Sequence, residues 1–144
     1  AIKNVLPEFN ELKETKVKSA LEDVDIPFYL AYDANGDFIG AAVETFTNKG
    51  FSGNIALMVG ILADGTVNNI SVLQHAETPG LGSKMSEPSF KDQFNNKNTS
   101  SFNFNVKKDG GDVDAITAAT ISSRAFCDAV NRALSTFENN KGGF

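Results

Sequence analysis

Apolar positions recur along this chain with two different periods, and the changes of period predict where its elements lie. From Pro7 to about Asp23, Phe9, Leu12, Val17, Ala20 and Leu21 fall loosely at helical spacing among Glu and Lys, which predicts a solvent-facing amphipathic helix. The segments Phe28–Tyr32 and Asp37–Phe46 flank Asn35-Gly36, a pair that accepts the positive φ of a tight hairpin turn. Asn54–Ala63 and Thr66–Gln74 flank Asp64-Gly65 in the same way, so four successive strands of an antiparallel meander are expected. A short helix is expected over Ser86–Phe94, followed by a polar, Asn-rich loop from Asn95 to Ser101. Phe102-Asn-Phe104-Asn-Val106 alternates apolar and polar residues and predicts a fifth strand, with a polar connection from Lys107 to Asp112 behind it. Phe126, Val130, Ala133, Leu134 and Phe137 form one helical stripe, so a last helix should span about Ser122 to Phe137, with a frayed tail from Asn139 to Gly143. The pattern is that of an α+β domain, an antiparallel β-meander sheet with an N-terminal and a C-terminal helix packed on it.

At 144 residues the chain has room for one core, so residues 1–144 are read as a single domain. Thirteen Lys and Arg against eighteen Asp and Glu give a net charge of −5, which argues against a nucleic-acid partner, since no excess of basic side chains exists to displace counterions from phosphates. The single cysteine, Cys127, excludes an internal disulfide and any multi-cysteine metal site, and its spacing with Val130 and Leu134 places it in the core. His75 stands alone, so a hydrogen-bonded structural role outweighs metal ligation. Asp33-Ala-Asn-Gly-Asp37 lacks the later Gly and Glu of a calcium loop and reads as a hairpin turn. The longest apolar run, Ile55–Ala63, is far short of the about 20 residues that a membrane-spanning helix needs.

Two segments carry candidate chemistry. His75-Ala-Glu-Thr-Pro-Gly-Leu-Gly82 directly follows a strand, and its Pro and Gly residues make either a tight strand exit or a loop with approachable amides. It is not a P-loop, because the adjacent Gly-Lys pair is missing. Asp114-Ala-Ile-Thr-Ala-Ala-Thr-Ile-Ser-Ser123 leads into the last helix. Its hydroxyls supply an N-cap, and the free amides of the first helical turn can equally seat an anion such as a phosphate.

At these residues the chain resembles the FMN-binding domain family, which includes the G subunit of the Rnf ion-translocating electron-transport complex and the C subunit of the sodium-translocating NADH:quinone reductase. The run Thr117-Ala118-Ala119-Thr120-Ile121-Ser122 is similar to the family's flavinylation motif. His75 to Gly82 matches its second signature, and Lys49-Gly-Phe-Ser-Gly53 a third, weaker one. Together they span residues 49 to 123. One position departs: Ala118 stands where the family more often has Gly. If that residue needs a positive φ, Ala carries about 1 kcal/mol of strain or more, enough to slow or prevent flavinylation; at negative φ the change is harmless.

The resemblance implies that the Thr120 hydroxyl is esterified to the phosphate of FMN by a separate flavin transferase that uses FAD and a divalent metal. The phosphodiester would lie against Thr117, Ala118, Ala119, Ile121, Ser122 and Ser123. Glu77, Thr78, Leu81 and Gly82 would form the other wall, the polar groups bonding the flavin and Leu81 packing on its ring. Asp114 would position the loop or assist the transfer rather than contact the phosphate, and Arg124 is read as a solvated surface arginine before a phosphate partner. The implied function is one-electron transfer within a membrane ion-translocating oxidoreductase, the Rnf G subunit being favoured over the sodium pump's C subunit by the short chain. The partners would be the other components of that complex, with no independent catalytic activity in this domain. It would stand on the outer face of a bacterial inner membrane, behind an N-terminal anchor. Two rivals remain: a module that binds FMN or another phosphate ligand reversibly, and a secreted structural or adhesion domain.

Overall fold

The β-branched and aromatic runs pair in the order in which they occur. The computed structural model describes residues 1–144 and contains one antiparallel sheet of five strands, each beside its sequence neighbour. The strands are β1 (Glu11–Lys18), β2 (Asp25–Tyr32), β3 (Phe38–Gly50), β4 (Gly53–Leu62) and β5 (Val67–Gln74). A short helix α1 (Ile2–Val5) precedes the sheet, α2 (Pro88–Lys91) follows it between two 3₁₀ turns, and α3 (Thr120–Asn140) closes the chain. The expected α+β meander is what forms.

One sheet face is covered by α3. Phe28, Leu30, Val43, Leu57, Val59 and Ile61 meet Phe126, Val130, Ala133, Leu134 and Phe137, all buried. Phe90 and Phe94 pack on Phe126 with ring centroids 5.0 Å away in each case, tying the segment after β5 to the same core. Each such aromatic contributes about 1.5–3 kcal/mol by leaving water. The opposite face carries a smaller cluster, Val5, Leu6, Ala31, Ala42 and Met58, beneath α1.

Three expectations change. The segment Pro7–Asp23 is not a helix: Glu11–Lys18 forms the edge strand β1, paired with β2 from Glu11↔Tyr32 to Lys18↔Asp25. Its apolar residues are too unevenly spaced to make a helical stripe, and only Val17 of the strand is buried. The backbone ladder to β2 therefore decides its conformation, and the charged side chains blunt the open edge. Phe102–Val106 does not join the sheet. Phe104 and Val106 are buried as the alternation implies, but Val106 makes only an isolated bridge to Val113. The start of β5 is already engaged by Asn96 and Lys97, through Asn96 N–H to the Val67 carbonyl and Val67 N–H to the Lys97 carbonyl. The C-terminal tail does not fray. Helix α3 continues to Asn140, residues Lys141–Gly143 form a 3₁₀ turn, and Phe144 packs on Phe28 at 5.5 Å and on Phe38 and Phe137 at 5.7 Å.

Arg132 of α3 is buried, and all three of its guanidinium nitrogens have partners. Nε and Nη2 donate to Glu22 at 2.8 and 3.2 Å, Nη1 donates to Asp128 at 2.9 Å and to the Phe46 carbonyl, and the group lies 4.7 Å over the Phe46 ring. Asp128 in turn accepts the Thr47 hydroxyl at 2.7 Å. This network pins the β1–β2 connection and β3 onto the middle of α3. No helix is long and apolar enough to cross a membrane.

Candidate functional site

Three segments meet at the N-terminal end of α3: the turn between β3 and β4, the loop after β5, and the first turn of the helix. Between them lies an open cleft of about 340 Å³, within the range of small-molecule sites. The helix and its approach supply Ala118, Ala119, Thr120, Ile121 and Ser122; the loop supplies Thr78, Leu81 and Gly82; the turn supplies Phe51.

The helix starts without a side-chain cap, its N-cap being Ala119. The amides of Thr120, Ile121 and Ser122 have no acceptor in the chain, while the next, Ser123 N–H, reaches the Ala119 carbonyl at 3.0 Å. Free amides at the positive end of a 21-residue helix form an anion seat. Ala118 enters this turn at φ 60°, the left-handed region that costs an L-residue about 1–2 kcal/mol. The strained alternative anticipated for an alanine here is the one adopted.

The four hydroxyls of the motif have different fates. Ser123 is buried; its hydroxyl donates to the Ala119 carbonyl and accepts Ile116 N–H, both at 2.9 Å, which shapes the loop from within. Ser122 is buried and donates to Glu77 Oε1 at 2.6 Å. Thr117 faces a neighbouring depression beside Lys84 and Asp114. Thr120 also lines the cleft, half-buried, and unlike Ser122 its hydroxyl makes no hydrogen bond within the chain.

Glu77 is only 4% exposed and lies behind the cleft wall. Besides the Ser122 hydroxyl, its carboxylate accepts Phe51 N–H on Oε1 and Ser52 N–H on Oε2, each at 2.8 Å. Burial pushes its pKa up, but the hydrogen bonds from Ser122, Ser52 and Phe51 outweigh that, leaving it below the ordinary glutamate value. His75 has the structural role expected, its Nδ1 accepting Glu77 N–H at 3.0 Å. A side chain at Gly82 would put a Cβ 2.4 Å from Ser122 Oγ and 2.7 Å from Glu77 Cβ, so only Gly lets this loop close on the helix.

Arg124, one turn beyond Thr120, is held by Asp109 through two bonds of 2.8 Å, and Asp114 pairs with Lys107 at 2.7 Å. Cys127 is a buried core thiol as expected, its pKa pushed up to about 12 by burial and then by the Asp109 charge. No group of His, Cys, Asp and Glu is placed to hold a metal. The cleft residue that sequence reasoning passed over is Phe51. Phe51 is 67% exposed at the cleft mouth, and its signal in the sequence was its place in the third, weaker signature Lys49-Gly-Phe-Ser-Gly53, a large aromatic in a glycine-flanked turn.

Comparison with known proteins shows the family to which the chain belongs. A model of the FMN-binding domain matches residues 50–135. The G subunit of the ion-translocating oxidoreductase complex of Aliivibrio fischeri is 44% identical over 114 residues, 76% of this chain and 54% of that protein. The protein of the same name from Methanosarcina acetivorans is 36% identical over 99% of this chain and 76% of its own length. The chain spans about half the length of several of the relatives it matches. The crystal structure of Shewanella oneidensis NqrC superposes with a TM-score of 0.60 at 23% identity, over 82% of this chain and 60% of that one, a likeness of fold. The chain belongs to the FMN-binding domain family. This is the family that the motifs between residues 49 and 123 had implied.

Proposed function

We propose that this chain is the FMN-carrying domain of the G subunit of an ion-translocating oxidoreductase complex, with the cofactor held by a phosphoester to Thr120. The observation that carries the reading is the state of the Thr120 hydroxyl. It is the one hydroxyl of the motif that is both in the cleft and unbonded, and it lies beside three amides without acceptors. An ester there places a phosphate at the helix N-terminus, where amides and dipole stabilise its charge. The identity to relatives named as G subunits, 44% and 36%, favours that assignment over the C subunit of the sodium pump.

The attachment balances as a phosphoryl transfer. Thr120 Oγ1 bonds to the FMN-side phosphorus of FAD, the diphosphate P–O bond breaks, and AMP leaves while the hydroxyl proton passes to solvent or a base of the transferase. This domain is the transferase's substrate. Once bound, the flavin supplies the electron-transfer chemistry. Leu81, Ile121 and Phe51 offer apolar surface to its ring, and the Thr78 hydroxyl at the cleft wall offers a hydrogen bond. A covalent tether keeps the cofactor at high local concentration where a dissociated one would be diluted away, which suits a domain on the outer face of a membrane. The redox partners are the other components of the complex.

Co-production with a flavin transferase, FAD and Mg²⁺ tests the reading. Intact mass should rise by FMN less one water, colour should survive denaturation, and both should be lost in Thr120→Val. Colour that is released by denaturant from a protein of unchanged mass would overturn it in favour of reversible binding.

A further inference from the structure

We propose that Glu77 is a positioning residue that sets the distance between the turn wall and the helix wall of the cleft, and that it does not itself touch the flavin; this rests on the reading of the cleft given above. The carboxylate joins two elements far apart in sequence. Phe51 and Ser52 amides come from the β3–β4 turn, the Ser122 hydroxyl from α3, and all three end on Glu77. Neither turn amide has another acceptor in the chain. Oε1 is filled by two donors, and the residue's 4% exposure leaves Oε2 no path to a ligand in the cleft.

What the clamp holds in place is Phe51. Its exposed ring hangs from a turn flanked by Gly50 and Gly53, with Gly53 at φ 109°, and it has little packing of its own. Removal of the carboxylate would leave the Phe51 and Ser52 amides without an acceptor in the chain and free the exposed turn to swing away from Thr120. Charge matters as well as shape. An amide in place of the carboxylate keeps one acceptor oxygen and turns an NH₂ donor towards donors, so glutamine cannot satisfy all three groups.

Amide hydrogen exchange on the whole chain without flavin gives the first readout. Glu77→Gln should raise exchange at Phe51 and Ser52 at least tenfold, with less than twofold change at the β2–β3 ladder. Ser122→Ala, which keeps the carboxylate and removes one donor, should raise it by a smaller factor, and it carries the test if Glu77→Gln does not fold. In flavin-loaded protein, flavin fluorescence anisotropy should fall in both variants, and the reduction potential should move towards that of free FMN. Unchanged exchange at Phe51 and Ser52 in the folded variants overturns the proposal. A shifted potential in Glu77→Gln with those amides still protected also overturns it, because that is the signature of direct contact with the flavin. If the exchange pattern holds but no variant nor the parent chain accepts flavin, the clamp stands and the flavin reading fails.

Discussion

Ala118 sits at φ 60° two residues ahead of Thr120, so the backbone reverses hand immediately before the helix whose first turn carries the Thr120 hydroxyl. Beyond the reversal, Thr120, Ile121 and Ser122 line the cleft, whereas Thr117, just before it, lines the neighbouring depression. An alanine pays for this geometry with steric strain that a glycine would not have.

Ala118→Gly should therefore raise stability, the relief of strain exceeding the extra chain entropy of glycine by about 0.5–1 kcal/mol. Thermal unfolding should show a rise in Tm of roughly 2–4 °C. Ala118→Val should lower it, because a β-branched side chain tolerates positive φ less well. Flavinylation by the transferase should proceed at least as fast in the glycine variant, measured as the rate of appearance of the adduct mass.

Arg132 should be the most sensitive charged position. Arg132→Ala leaves Asp128 and Glu22 without their shared partner and removes the packing on Phe46. Loss of one member of a buried ionic network costs about 3–5 kcal/mol, readable as a lower urea midpoint with an unchanged slope. Lys49→Ala, which removes an exposed pair at 3.4 Å to the same Asp128, should change stability by less than about 1 kcal/mol.

Acid should weaken the fold through three carboxyls. The Glu22 pKa is lowered by its bonds to Arg132; Asp128, although burial raises its pKa, is held low by Thr47 and Arg132; Glu77 is held low as described. A carboxyl whose folded pKa lies below its unfolded one contributes stability that is complete above the unfolded value, about 3.9 for Asp and 4.3 for Glu, and is lost as pH falls through the folded value. Urea midpoints should thus be flat in these groups above about pH 5 and fall below it. Glu77→Gln should start from a lower midpoint at pH 7 and lose less on acidification, a difference that paired titrations would reveal.

The chain's own residues determined more of this protein than its helices alone suggest. The strands from Phe28 to Gln74 are apolar-rich runs separated by Asn-Gly and Asp-Gly, local signals that need no distant partner to be read. The order of the motifs around Glu77 and Thr120 likewise carries the resemblance to the FMN-binding family without reference to the fold. Tertiary structure decided the cases in which propensity was weak. The Glu11–Lys18 run has no clear helical stripe, and the open ladder of β2 drew it into the sheet. Phe102–Val106 alternates like a strand, yet the start of β5 was already taken by Asn96 and Lys97. Within the site, the resemblance singles out Thr120, but residue type and spacing alone do not tell the four hydroxyls apart. Only the packing of the Glu77 loop and the internal bonds of Ser123 separate two structural serines from an unbonded threonine that faces the cleft. The reason is physical: local sequence fixes backbone preference and turn chemistry, while burial and hydrogen-bond partners exist only once distant segments have met.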